Sequence, residues 1–193
     1  MKVSWLLATT MAIGLLAACG DASWRTKDIS GLMPDLALEL TAESGETITA
    51  SRFEDRVTLL FFGYTNCPDI CPVTMGKLAT VMGKLPASVA EQVRVLFVSV
   101  DPDRDTPKRL RQYTGAFGER FIGATGTQQQ LRALSKRYRV TYSYGSDKGE
   151  GGSYLVSHSS AVFVFDDQSR VRLMFRQDDS IDAMAADLKR LVR

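Results

Sequence analysis

"VTLLFFGYTNCPDICPVTM", residues 57–75, begins as an apolar run and ends on two cysteines, each followed by a proline. A near-continuous run such as Val57–Tyr64 is what a strand covered on both faces shows. Pro72 has no N–H to lose and suits the first turn of a helix. Val73, Leu78, Val81, Met82 and Leu85 follow at helical spacing, so a helix is predicted over 72–85. That reading puts Cys71 at the helix cap and Cys67 about one turn earlier. Residues four apart on a helix share a face, with Cβ atoms about 5–6 Å apart. The two sulfurs can then reach one ion, or each other. A helix N-terminus favours negative charge and lowers thiol pKa, which makes thiolates accessible. Thioredoxin-type redox motifs place two residues between the cysteines, and this motif places three. The pair alone leaves a disulfide, a redox couple and a metal site open.

Working outward, Leu36, Leu38 and Leu40 alternate before "ESGE" (43–46) and "TITA" (47–50), the pattern of a hairpin. "VRVLFVSVD" (93–101) is a second buried strand. "DTPKRLRQYTGAFG" (105–118) starts as a helix, with Thr106 as N-cap and Pro107 at the first helical position. "TQQQLRALSKRY" (127–138) opens with Thr127 and Gln130 in capping-box spacing. A glycine-rich loop, "GSDKGEGGS" (145–153), precedes "AVFVFDD" (161–167) and "RVRLMFRQ" (170–177), two strands joined at Asp167–Ser169. An amphipathic helix capped by Ser180 closes the chain. The order is hairpin, β, α, β, α, α, β, β, α. Two buried strands joined by a helix imply a parallel crossover, and the late hairpin adds antiparallel strands. The fold class is α/β: a thioredoxin-like mixed sheet flanked by helices, with an N-terminal β-hairpin.

The N-terminus reads "MKVSWLLATTMAIGLLAACGDASW". Lys2 precedes an apolar run, Val3–Leu16, that is short for a membrane span and suits a signal-peptide core. "LAAC" then resembles a bacterial lipobox, with Cys19 as the lipidated residue; the alternative is an uncleaved N-terminal anchor. Both place the remaining chain in the cell envelope, outside the cytoplasm and tied to a membrane. The expected division is a lipoprotein signal peptide at 1–18, a lipidated tether at 19–30 and one domain at 31–193. About 175 residues remain after processing, enough for one good core. With 24 basic and 22 acidic residues, nothing points to nucleic acid.

His158, in "YLVSHSSAVFVF", is the chain's single histidine. It precedes a strand at the edge where such folds place residues beside the cysteine motif. With Cys19 used as the anchor, two thiolates and one imidazole make three ligands, short of the four Cys or His of a structural zinc site. Thiolates suit Cu(I) and imidazole suits copper, so a three-ligand Cu(I) or Cu(II) site is the economical reading. Asp69 or water could complete a Cu(II) site. Met75, one turn beyond Cys71, reads as core rather than as a thioether ligand. Arg104, Lys108, Arg109 and Arg111 read as a solvated basic face, with docking on an acidic surface as the alternative.

Three stretches, "LLFFGYTNCPDICPVTM", "VLFVSVDPDRDTP" and "YLVSHSSAVFVFD", resemble the signatures of the Sco/SenC copper proteins, over roughly residues 30–190. The resemblance implies a membrane-tethered domain that delivers copper to the CuA centre of cytochrome c oxidase, with ligands on Cys67, Cys71 and His158. It also implies that Asp101 or Asp105 lies near the cysteines. The family often has His before the first cysteine, where this chain has Asn66, and "DPDG" where it has "DDQS". The expected partners are the oxidase subunit bearing CuA, the membrane through the lipid anchor, and a thioredoxin-like reductase. The reductase is needed because an oxidising compartment closes the Cys67–Cys71 disulfide and removes both thiolates. The rival readings are a thiol-disulfide reductase that keeps the oxidase cysteines reduced, a peroxidase-like antioxidant, and a redox or copper sensor.

Overall fold

The computed structural model describes residues 23–144, 156–158 and 160–192, with side chains for 23–143 and 160–192. The leader, Cys19 and the glycine-rich loop lie outside the described residues.

The sheet centres on β4 (Val57–Gly63), every residue of which is buried. Its neighbour β5 (Val93–Ser99) runs parallel, in register from Val57↔Val93 to Gly63↔Ser99. Both apolar runs are thus doubly covered, as a central parallel pair requires. β6 (Phe121–Thr125) extends the parallel set, with Val95 opposite Phe121. The sequence pattern predicts two successive helices here, and the structure places this strand between them. On the other side of β4, β9 (Val162–Phe165) is antiparallel, and β10 (Val171–Phe175) follows it. The expected hairpin is β2 (Glu39–Ala42) with β3 (Thr47–Thr49), Leu40 opposite Ile48. Gly45, at φ +89°, makes its turn. With a short first strand, β1 (Lys27–Asp28), at one edge, the order across the sheet is β1-β10-β9-β4-β5-β6-β2-β3.

The helices start where their caps dictate. Thr106 Oγ1 accepts from Arg109 N–H, and Pro107 opens α3 (Pro107–Gly115). Thr127 and Gln130 form a reciprocal capping box on α4 (Gln128–Arg137). Ser180 Oγ accepts from Ala183 N–H at the start of α5 (Ile181–Leu191). α1 spans Ile70–Gly83, two residues earlier than expected. Pro72 sits inside its first turn, where no intrahelical donor is needed. A short α2 (Ala87–Ala90) follows.

Residues 24–30, expected as part of the tether, are docked on the body. β1 (Lys27–Asp28) pairs with β10, and the N–H groups of Arg25 and Thr26 donate to the buried Asp187 carboxylate of α5. Two further strands, β7 (Tyr142–Tyr144) and β8 (Val156–His158), pair with each other and set His158 opposite Tyr142.

Candidate metal centre

The end of β4 delivers the chain into the cysteine motif. Gly63 hydrogen-bonds across to β5's extension through Val100 N–H, at 2.9 Å. A Cβ on Gly63 would stand 2.6 Å from Phe97 Cε2 and 2.8 Å from Cys71 Sγ. Only glycine leaves room for that sulfur. A glycine at the close of an otherwise bulky buried run is the signal that could have revealed this.

Cys67 N–H donates to Tyr64 C=O at 3.2 Å, which forms a turn, and Cys71 N–H points at Cys67 Sγ at 3.4 Å. Among the described residues, no disulfide joins Cys67 to Cys71. The pair is asymmetric: Cys67 is half-buried, and Cys71 is fully buried in the first turn of α1. This corrects the expectation of an accessible thiolate with lowered thiol pKa at Cys71. Burial pushes the Cys71 thiol up, and the hydrogen bond with the Tyr64 main chain only partly opposes it.

The loop before Cys67 is clamped from α3 and the segment leading into it. The Asp105 carboxylate is wholly buried and accepts from Thr65 N–H at 2.8 Å, Thr65 Oγ1–H at 2.5 Å and Ser99 Oγ–H at 2.5 Å. Arg109 Nε donates to Thr65 Oγ1 at 2.6 Å, and its Nη2 to Asn66 Oδ1. Asp101, also buried, pairs with Arg104 at 2.5 Å. Arg111 donates to Glu43 C=O. The basic cluster is therefore not simply a solvated face, since Arg109 holds the cysteine loop. Asp69 is exposed and is the N-cap of α1, with no side-chain capping bond. Met75 is fully buried in the core, so its thioether is packing rather than a ligand. Tyr113, which the sequence reading passed over, has its hydroxyl buried near the pair.

The His158 side chain lies outside the described residues, but its strand places its backbone. β9 begins at Val162, which pairs with Phe61 two residues from the end of β4. Only three residues separate His158 from Val162, so it stays within about 14 Å of that point. The topology thus brings His158 toward the cysteine end of the sheet. Among the described residues, no cluster of three His, Cys, Asp or Glu is arranged to hold a metal, and no helix is long and apolar enough to cross a membrane.

Comparison with known proteins agrees with this architecture. A solution structure of apo Sco1 from Thermus thermophilus superposes with a TM-score of 0.75 at 35% identity, covering 88% of this chain and 97% of that one. Bradyrhizobium japonicum ScoI, with copper bound, gives 0.74 at 30% identity, over 82% and 99%. A SCO2-like protein of Rickettsia prowazekii is 31% identical over 142 residues, 74% of this chain and 69% of the relative. The SCO1/SenC family model matches residues 35–193. With a thioredoxin-like fold, a Cys-Pro-Asp-Ile-Cys turn at the end of its central strand and that match, the chain belongs to the SCO1/SenC family.

Proposed function

We propose that this protein is a copper carrier for the assembly of cytochrome c oxidase. It binds copper through the thiolates of Cys67 and Cys71 and the imidazole of His158, and passes it to the CuA-bearing subunit. The observation that carries the reading is the cysteine pair itself: two thiols held one turn apart at the sheet end toward which β8 brings the chain's single histidine. Copper-bound structures of relatives support the choice of metal.

The donor set fits copper. Thiolates and imidazole are its preferred ligands, and Cys71's raised thiol pKa means that binding must displace its proton. A buried Cys71 beside a more accessible Cys67 lets an acceptor approach from the Cys67 side and exchange ligands in turn. The leader is read as residues 1–18 and Cys19 as a lipid anchor, which keeps the domain at the periplasmic face of a membrane. A thioredoxin-like reductase restores the dithiol whenever it is oxidised.

The asymmetry of the pair favours one second reading, a thiol-disulfide reductase that maintains the oxidase's CuA cysteines. The Cys67 thiolate would attack a substrate disulfide, releasing one substrate thiolate and leaving a mixed disulfide on Cys67. The Cys71 thiolate would then attack the Cys67 sulfur, closing the Cys67–Cys71 bond and releasing the second substrate thiolate. Copper uptake by the reduced and the disulfide forms separates the two. The carrier binds one copper when reduced, with thiolate-to-copper absorption, and loses it on oxidation. Uptake by neither form, with rapid reduction of a disulfide substrate, would leave the reductase.

A further inference from the structure

Three arginines stand side by side at the end of the sheet where β4, β5 and β6 begin. Thr58 of β4 lies opposite Arg94 of β5. The β5–β6 register, Val95 opposite Phe121, continues back one residue to set Arg120 beside Arg94. Val95 N–H, donating to Arg120 C=O at 2.9 Å, holds that alignment. Arg56 comes two residues before Thr58, which brings it to the same side of the pleat as Arg94. Neighbouring strands are about 4.8 Å apart, so the three positions span only about 10 Å. All three arginines are half-buried. Like charges set opposite each other on a sheet destabilise it.

Arg56 and Arg94, with Arg52 from the 3-10 turn before β4, line a cavity of about 270 Å³. Glu54 and Asp55 line it too. Among the described residues, however, no carboxylate pairs with Arg52, Arg56, Arg94 or Arg120. The main chain holds two of these guanidinium groups instead. Arg56 Nη1 donates to Asp55 C=O at 2.7 Å, and Arg94 Nη1 to the C=O groups of Glu91 and Val93, both at 2.8 Å. Each uses one nitrogen of its fork and leaves the others for a ligand. Burial, then the positive charges of Arg56 and Arg120, pushes Arg94 below the ordinary guanidinium value. The cysteine chemistry makes no use of this hollow, since the length of β4, about 20 Å, lies between them.

We propose that the arginine hollow at the start of β4, β5 and β6 binds a phosphate-type oxyanion, either free or as a lipid headgroup. Guanidinium forks match phosphate oxygens in pairs, and one such anion can accept from two or three forks at once. Its negative charge offsets the crowding of like charges that the protein itself leaves uncompensated. A headgroup in this hollow would turn the start of β4 toward the membrane and the cysteine loop away from it. The inference stands without the copper reading.

The test uses the full chain, wild type beside Arg56→Gln and Arg94→Gln. The first arm follows unfolding midpoints as inorganic phosphate replaces chloride at matched ionic strength. General salt effects act on all three proteins alike, so the site appears as a difference between them. Phosphate should stabilise wild type at concentrations roughly tenfold lower than either variant needs. The second arm is sedimentation with phosphatidylglycerol and with phosphatidylcholine vesicles. The apolar run Val3–Leu16 holds the chain to either lipid, so the readout is the excess bound to phosphatidylglycerol. Loss of the phosphate response in the variants identifies a free anion as the ligand, and loss of the lipid excess identifies a headgroup. Arg56→Gln, which removes one crowded charge, should be as stable as wild type in chloride, and it decides the matter if Arg94→Gln does not fold. Equal phosphate responses and equal lipid excess in wild type and Arg56→Gln would overturn the proposal. So would a marked loss of stability of Arg56→Gln in chloride alone, which would make the guanidinium a structural tie.

Discussion

The Asp105 carboxylate holds both donors of Thr65, its N–H at 2.8 Å and its Oγ1–H at 2.5 Å, across forty residues of sequence. Thr65 lies two residues before Cys67, so the segment leading into α3 sets the conformation of the cysteine loop. Asp105 also accepts from Ser99 Oγ–H and lies within 3.8 Å of Arg109. Asp105→Ala would leave buried donors without an acceptor and Arg109 without its counter-charge. The expected cost is about 3 kcal/mol in denaturant unfolding. Copper retention falls with it, because the loop that carries Cys67 loses its tie. Asp105→Asn keeps the shape and recovers part of both. Equal stability of Asp105→Ala and wild type would show the clamp to be incidental.

Gly63→Ala tests the space beneath the pair. The added methyl would meet Phe97 Cε2 and Cys71 Sγ inside contact distance. Overpacking of this kind costs about 1–3 kcal/mol. The sulfur must also shift, so the variant's thiolate-to-copper absorption should change even where the fold survives. Gly76, with open space at its Cβ position, is the control, and Gly76→Ala should leave the spectrum alone.

The sequence made much of this legible, and the limits are physical. β4 and β5 declared themselves because burial on both faces forces continuous apolar residues. α3, α4 and α5 declared their starts because Thr106, Thr127 and Ser180 are strong N-caps. β6 did not, since Gly123 interrupts it. The structure explains that glycine, as a Cβ there would press on Leu110 Cβ and Glu43 Oε2, each at 2.9 Å. The cysteine spacing pointed to the site, but the burial of Cys71 could not be read from spacing. Burial depends on how Phe97, Gly63 and the first turn of α1 meet. Arg109 was visible only as one of several cations, because its partners Thr65 and Asn66 lie more than forty residues away.

Acid should weaken the turn between β9 and β10. Burial alone would raise the pKa of Asp166, but hydrogen bonds from Arg170, Arg172 and the Gln168 and Arg170 main chain outweigh it and hold the carboxyl below its ordinary value near 3.8. A folded pKa below the unfolded one contributes stability that is fully present above the unfolded value. That contribution is lost as pH falls from about 3.8 through the folded value. Asp166→Asn should therefore be less stable than wild type at neutral pH, with the gap closing below about pH 4. Denaturant midpoints measured from pH 7 to pH 2.5, values on the order of those bracketing a carboxylate titration, check this. A gap that stays constant over the range would assign the difference to packing instead.

The central claim is that copper is held jointly by the pair and by His158. Copper stoichiometry and absorption of the reduced full-length protein, measured for wild type and His158→Ala side by side, test it most directly. The account predicts one copper per wild-type chain. In His158→Ala, copper should be lost to a competing chelator at least about tenfold more readily, with altered thiolate-to-copper absorption and unchanged dithiol chemistry. Equal retention and an identical spectrum in His158→Ala would contradict the account and leave a dithiol protein whose histidine has no part in metal binding.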